Sequence, residues 1–330
     1  MKKKILVIIN KNINSGPNTV ARGAVIGDSV DSNECIIDEH ILRDKNESLC
    51  SSFIRLYKKV KINDYDILHS HCLLPDIFSS SVSFLLGRKH ISTVHNIPNE
   101  DYIFRYGRLK GFTMYLLHLF FLTMMSDKLI CISNTVMNSL PLLLRNKSLV
   151  IHNFVDNKFF QSSCTEQIEL FYCGHFSALK DPSFIINNIS SYDINFKFTL
   201  FGDGDLLDYC KGLVVDDSRF DFRGRCEDNY LSYKREGIFI HSSNTEGFCL
   251  AVAEALASNM KVVVPNIEVF NEFKNTLGFS NIYIYERGSS SSFNDTLNQA
   301  LNSKFIQPNN IDYLRLYRFK KELYKLYALT

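Results

Sequence analysis

Glu246 and Glu254 stand eight positions apart in Thr245-Glu246-Gly247-Phe248-Cys249-Leu250-Ala251-Val252-Ala253-Glu254-Ala255-Leu256-Ala257. An apolar run at 237–241, ending in His241, precedes them and reads as a buried strand. The polar turn Ser242-Ser243-Asn244 follows it. Residues 248–258 have the pattern of a helix, with Asn259 suited to a left-handed cap, and 261–265 reads as the next strand. One acid thus lies in the turn beside a glycine, and the other lies two turns into the helix. A helix N-terminus with a small residue beside it offers unpaired backbone N–H groups to a phosphate. A carboxylate next to that phosphate is repelled unless it binds neutral hydroxyls. Two hydroxyl-binding acids flanking a phosphate cradle suit a sugar nucleotide, which has hydroxyls at both ends and a diphosphate between. The same residues also fit an ordinary amphipathic helix, with one solvated Glu and one first-turn Glu favoured by the dipole.

The segment resembles the Glu-x7-Glu signature of the retaining glycosyltransferases of family 4, E-G-F-G-L-x3-E-A-M-A. Cys249 replaces its second glycine and Leu256 its methionine. Further stretches extend the resemblance over about 16–264. Asn14-Ser15-Gly16-Pro17-Asn18-Thr19 is similar to the family's glycine loop. Thr93-Val94-His95-Asn96 is similar to its T-x-H-D/N element, and Leu68-His69-Ser70-His71 to an H-x-H strand end. Gly174-His175-Phe176-Ser177-Ala178-Leu179-Lys180 is similar to G-R-x4-K, with His175 where Arg is usual; a neutral ring cannot make the bidentate fork of a guanidinium. Gly202-Asp203-Gly204-Asp205 looks like the family's G-D-G-P loop, and Phe222-Arg223-Gly224 like a segment bordering the base. His152-Asn153-Phe154-Val155-Asp156, with Phe159, looks like its hinge.

The resemblance implies an α/β, GT-B fold: two Rossmann-like domains with parallel sheets facing a central cleft. It implies transfer of a hexosyl group from a nucleoside diphosphate sugar, with retention, by front-face substitution. Glu246, His95 and Lys180 would be catalytic. Gly16, Gly174, His175, Lys180, Gly202, Arg223, Gly224, Glu246, Gly247, Phe248, Cys249, Leu250 and Glu254 would bind the donor, with Glu254 on the ribose. Asn18 and Arg105 are acceptor candidates. No metal and no cofactor beyond the nucleotide sugar is expected. The acceptor implied is a saccharide, polyprenyl-diphosphate-linked or other, in surface polysaccharide synthesis. A nucleotide-sugar epimerase of the same shape, and an inactive nucleotide-sugar-binding subunit, are alternatives.

Other readings of these motifs are weaker. Gly202 and Gly204 make G-x-G, but Leu207 holds the third glycine position of a dinucleotide fingerprint. Asp203-Gly204-Asp205 spells D-x-D, the metal motif of a different glycosyltransferase fold, which the two sets of strands argue against. His69 and His71 have the spacing of a metal pair without a third ligand nearby.

The 330 residues allow about two domains. A hydrophobic content of 45% and a charged content of 22% suit a well-cored protein, and a net charge of +2 argues against nucleic acid. Met1-Lys2-Lys3-Lys4 leads into a short apolar run followed by Asn10-Lys11-Asn12, so no secretory leader is expected. Nine scattered cysteines without C-x-x-C indicate neither a disulfide framework nor a zinc site and suit a reducing cytoplasm.

Strand-like runs at 4–9, 35–41, 67–71, 90–95, 128–133 and 149–152 alternate with helical stretches at 48–60, 77–86 and 102–125. A second set falls at 169–174, 197–202, 219–223, 237–241, 261–265 and 281–285. Such alternation predicts parallel sheets covered on both faces. Domains are expected at 1–156 and 157–310, with 157–167 as linker and a C-terminal helix over 311–327, within 311–330, packing back on the first domain. Residues 111–125 carry no formal charge, with His118 as the one titratable group. They are too short to span a bilayer and fit either a core helix buried on most faces or a helix lying in a membrane surface.

Overall fold

The computed structural model describes residues 2–13, 15–25, 35–43, 47–161, 169–192, 195–226, 233, 237–304 and 310–330. The chain divides into two compact units, Met1–Phe154 with Leu316–Thr330, and Val155–Arg315.

Unit 1 is built on β1 (Lys3–Ile9), β2 (Cys35–Ile41), β3 (Ile67–His71), β4 (Lys89–Val94), β5 (Lys128–Cys131) and β6 (Ser148–Val150). All pair in parallel, in the order β2-β1-β3-β4-β5-β6. Its helices are α1 (Gly16–Val25), α2 (Leu49–Asn63), α3 (Leu73–Leu86), α4 (Pro98–Tyr106), α5 (Arg108–Met125), α6 (Asn134–Ser139) and α7 (Leu142–Arg145). Unit 2 contains β7 (Glu169–Cys173), α8 (Pro182–Ser190), β8 (Lys197–Phe201), α9 (Leu207–Gly212), β9 (Phe220–Gly224) and β10 (Ile238–Ile240). It continues with α10 (Leu250–Ala257), β11 (Lys261–Pro265), α11 (Glu268–Asn271), β12 (Ile282–Tyr285) and α12 (Ser290–Asn302). Its strand order is β12-β11-β10-β7-β8-β9, again parallel. Helix α13 (Leu316–Leu329) closes unit 1.

Central strands that are apolar throughout need cover on both faces. Ile5 to Ile9 are wholly buried, as are Val262 to Val264. Sheet order then fixes where a ligand can sit. Ligands of open parallel sheets bind beyond the carboxyl ends of the strands, where the order reverses. In unit 1 that point lies between β1 and β3, and in unit 2 between β7 and β10.

Three expected elements differ in detail. The stretch 102–125 is two helices, because Gly107 takes φ 79°, ψ 168° between α4 and α5. The helix expected over 248–258 starts only at Leu250, since Cys249 is left-handed at φ 66°; Asn259, at φ 57°, does take the left-handed turn after it. The stretch 311–327 is a 3-10 turn, Ile311–Leu314, followed by α13. That turn belongs to unit 2, where Val155 bridges Arg315. Of the linker 157–167, residues 157–160 form a 3-10 turn, and 162–167 lie outside the described residues.

Helix α5 departs most from a buried core helix. Only Gly111, His118 and Leu122 of it are buried. His118 anchors it, with Nε2 2.8 Å from Asp76 on α3 and Nδ1 2.9 Å from the Tyr102 hydroxyl on α4. Leu109, Phe112, Leu116, Phe120 and Met124 are exposed. Among the described residues no helix is long and apolar enough to cross a membrane.

Candidate active site

In unit 2 the loops after β7 and β10 meet at the reversal point of the sheet. The Ser242 hydroxyl donates to the carbonyls of Lys180 and Asp181, both at 2.8 Å. The Asn244 amide donates to Leu179 O at 2.9 Å, and its side chain to Ala178 O at 3.1 Å. These bonds hold Lys180 against the 242–246 turn, where its ammonium pairs with Glu246 Oε1. The same oxygen lies 2.9 Å from His241 Nε2 and accepts from Ser243 Oγ at 2.8 Å. His241 is fixed in turn by its neighbours. Tyr172 and Phe239 stack on it with interplanar angles of 18° and 21°, and the Tyr285 hydroxyl donates to its carbonyl at 3.0 Å.

Burial works against a charge on Glu246, but Lys180 and the hydrogen bond from His241 outweigh it and hold the carboxyl well below its ordinary range. Burial also holds His241 below its ordinary value, so the ring is neutral at pH 7. Lys180 is therefore the charge that keeps Glu246 ionised. Glu254 behaves oppositely: burial pushes its carboxyl up to about 8, Lys158 opposing and Asp156 adding to the shift. The two acids, one ionised and one protonated at neutral pH, have environments suited to different tasks.

The other donor-site candidates of unit 2 surround this cluster or its loops. Gly247, Phe248 and Cys249 lead into α10, whose first residue is Leu250. Gly174 follows β7, and its amide bonds Phe201 O at 3.0 Å. Gly202 lies so close that a Cβ there would sit 1.8 Å from Gly174 O, at a φ of 138° open only to glycine. Gly224 O accepts from the Gly202 amide at 2.8 Å. Exposed His175 turns its Nδ1 to Asp203 Oδ1 at 3.2 Å, and the Arg223 guanidinium bonds Asp221 at 2.7 Å. Both side chains are thus drawn to neighbouring carboxylates.

In unit 1, Gly16 opens α1 after β1, and Asn14 lies outside the described residues. Asn18 gives both side-chain N–H groups to the loop itself, to Lys11 O at 2.8 Å and Ile13 O at 2.7 Å; its amide shapes the turn. Arg105 Nε bonds Asp101 Oδ1 at 2.9 Å and stays largely exposed. His95 Nε2 lies 2.8 Å from His71 Nδ1. Burial depresses both rings, His95 to about 4, so they form a neutral pair sharing one hydrogen. His69 spends both nitrogens on Tyr327 and Thr93, at 2.6 and 2.7 Å, and is no metal ligand.

His241 and Ser243 escaped the sequence reading. Position was the available signal: both follow β10 directly, at the carboxyl end of a central strand.

The family model "Glycosyl transferases group 1" matches residues 154–314, and "Glycosyltransferase Family 4" matches residues 24–159. The chain belongs to this glycosyltransferase family. It is 30% identical over 210 residues to an uncharacterized glycosyltransferase, MJ1178, of Methanocaldococcus jannaschii, covering 61% of this chain and 56% of that protein. It is 24% identical over 241 residues to the O-antigen biosynthesis glycosyltransferase WclY of Escherichia coli, covering 65% of each. The matches thus span less than two thirds of either relative. Among solved structures, Anabaena HepE in complex with UDP and glucose superposes with a TM-score of 0.80 at 13% identity, covering 99% of both chains. The fold is GT-B. Where the family signature has glycine, this chain puts Cys249 in a left-handed position, and His241 lies against its first acid.

Proposed function

We propose that the protein transfers a hexosyl group, with retention, from a nucleoside diphosphate sugar to a saccharide acceptor in surface polysaccharide synthesis. The observation that carries this is the ionised Glu246 held by Lys180 and His241 beside the start of α10, at the reversal point of the unit 2 sheet. A diphosphate leaving group needs positive charge and aligned N–H donors. Lys180 supplies the first, and the amides entering α10 supply the second. Glu246 then accepts from the donor sugar's hydroxyls, and Glu254 takes the ribose diol. In unit 1, His95 is assigned to the donor sugar by the family pattern. The departing phosphate takes the acceptor proton, and with Lys180 and the helix-entry amides neutralising the diphosphate the reaction should proceed in EDTA. The HepE complexes with UDP and with UDP-glucose make uridine diphosphate sugars the first donors to try. The O-antigen role in WclY's name supports a surface saccharide as acceptor.

A lipid-linked acceptor is supported by α5. Its apolar residues recur at three- and four-residue steps on the exposed face, and Arg108, Lys110 and Lys128 flank it with exposed positive charge. This pattern suits a helix lying in an anionic membrane surface.

The test is a thermal-shift screen of UDP-, GDP- and ADP-sugars, followed by product analysis by NMR. One donor should stabilise the protein by mass action and yield a product of unchanged anomeric configuration. An inverted product, or sugar conversion without any acceptor, would sink the proposal.

A further inference from the structure

His241 Nε2, Glu246 Oε1 and Cys249 Sγ all lie within 4.8 Å of one another. The nitrogen is 2.9 Å from the carboxylate oxygen and 3.5 Å from the sulfur. A tetrahedral zinc ion with ordinary bond lengths sets its nitrogen and sulfur ligands about 3.5 Å apart, and its nitrogen and oxygen ligands about 3.3 Å apart. The nitrogen–oxygen and nitrogen–sulfur pairs are therefore within a few tenths of an ångström of those spacings, and the oxygen–sulfur pair lies inside 4.8 Å. Ser243 Oγ lies 2.7 Å from the same nitrogen and 2.8 Å from the same oxygen.

Two features aim the sulfur inward. Cys249 holds φ 66°, ψ 82°, a backbone conformation costing a non-glycine residue about 1–3 kcal/mol. The Val252 amide at the start of α10 hydrogen-bonds its sulfur, and this opposes the burial and the Glu246 charge that hold the thiol well above its ordinary value in the metal-free protein. Imidazole, carboxylate and thiolate together select borderline-soft ions such as zinc or cobalt and discriminate against magnesium and calcium.

We propose that His241, Glu246 and Cys249 form a binding site for a zinc-like divalent cation that switches the donor site off. On binding, the thiol proton leaves to solvent and sulfur bonds the cation. The ring hydrogen moves from Nε2 to Nδ1, an atom without a hydrogen-bond partner to lose, and Nε2 donates its lone pair. Glu246 exchanges the Lys180 ammonium for the cation. The ion thereby takes over the carboxylate and the lysine assigned to the donor. This regulatory half rests on the proposed donor site; the metal site itself does not.

Cobalt substitution reads the metal site directly. Reduced, EDTA-stripped protein is titrated with cobalt(II), then with zinc(II) as competitor. Wild type should develop a thiolate-to-cobalt charge-transfer band with the intense visible absorption of a tetrahedral ion, and zinc should abolish both. Cys249→Gly, which suits the left-handed backbone and so keeps the fold, should lack the band. His241→Gln should weaken zinc binding at least tenfold. No band in wild type, or an undiminished band in Cys249→Gly, overturns the site. Zinc at micromolar concentration should also cut the donor-induced thermal shift at least tenfold in apparent affinity, with magnesium inert and EDTA restoring it. Metal binding that leaves donor affinity unchanged overturns the switch. Absence of any donor shift in EDTA instead counts against the transferase reading, so the two failures are distinct.

Discussion

Glu246 carries its charge because Lys180 is beside it. In Lys180→Met the carboxylate keeps only neutral partners in a buried setting, and unit 2 should lose up to about 3 kcal/mol, read by urea unfolding without ligand. Glu246→Gln keeps the shape and removes the charge. If its contacts strengthen in the transition state, turnover should fall by orders of magnitude while donor affinity changes little; near-normal turnover would remove Glu246 from catalysis. Glu254 makes a separate, pH-dependent prediction. Its folded pKa of about 8 lies above the ordinary 4.5, so the ligand-free fold binds that proton more tightly than the unfolded chain. This contribution to stability is complete below about 4.5 and is lost as pH rises through about 8. Ribose hydroxyls donate best to the ionised form, so donor affinity should rise across the same upper range. Calorimetric titration over that range should show the rise in wild type and a flat profile in Glu254→Gln.

At the scale of elements, two segments depend on close approach or on solvent. The β8 loop reaches β7 only because Gly202 has no side chain. Gly202→Ala meets Gly174 O in a conformation costing about 1–3 kcal/mol. It should lower the melting temperature and weaken donor binding together; an unchanged melt would show that the loops separate freely. Helix α5 should bind anionic vesicles in a salt-sensitive way. Leu116→Ser with Phe120→Ser removes apolar surface that is already about half exposed, at 50% and 52%. This pair should reduce sedimentation with vesicles without lowering the melting temperature. Wild type that never sediments would leave the exposed stripe for another partner.

For the whole molecule, the chain leaves unit 1 at Phe154 and re-enters it at Leu316. Helix α13 returns to the first strand: Lys3 Nζ donates to Tyr327 O and Ala328 O, at 3.0 and 2.9 Å, and Phe319, Leu323 and Tyr327 are buried. Each such side chain is worth about 1.5–3 kcal/mol on burial. Ending the chain after Arg315 should therefore strip hydrogen-exchange protection from β1 and β3 and spare β7 and β10. Equal loss in both units would mean that α13 serves the molecule rather than unit 1.

What the sequence determined by itself was whatever depends on neighbours along the chain. Strand patterning gave Cys35–Ile41, Ile67–His71 and Lys261–Pro265 to the residue, because the strand repeat is set by residues adjacent in the chain. The Glu-x7-Glu spacing and the lysine after β7 likewise marked the family, since helix and loop lengths are set locally. Tertiary structure decided what depends on partners distant in sequence. Gly107 breaks the helical pattern of 102–125, and α5 is exposed because α3 and α4 cover only its His118 face. Glu246 is ionised and Glu254 protonated although both are glutamates on one short segment, because Lys180, 66 residues away, reaches only the first. His241 joined the site for the same reason. A strand-end histidine is anonymous until the sheet order β10-β7 sets it beside the lysine loop, and charge and burial are properties of that meeting rather than of either segment.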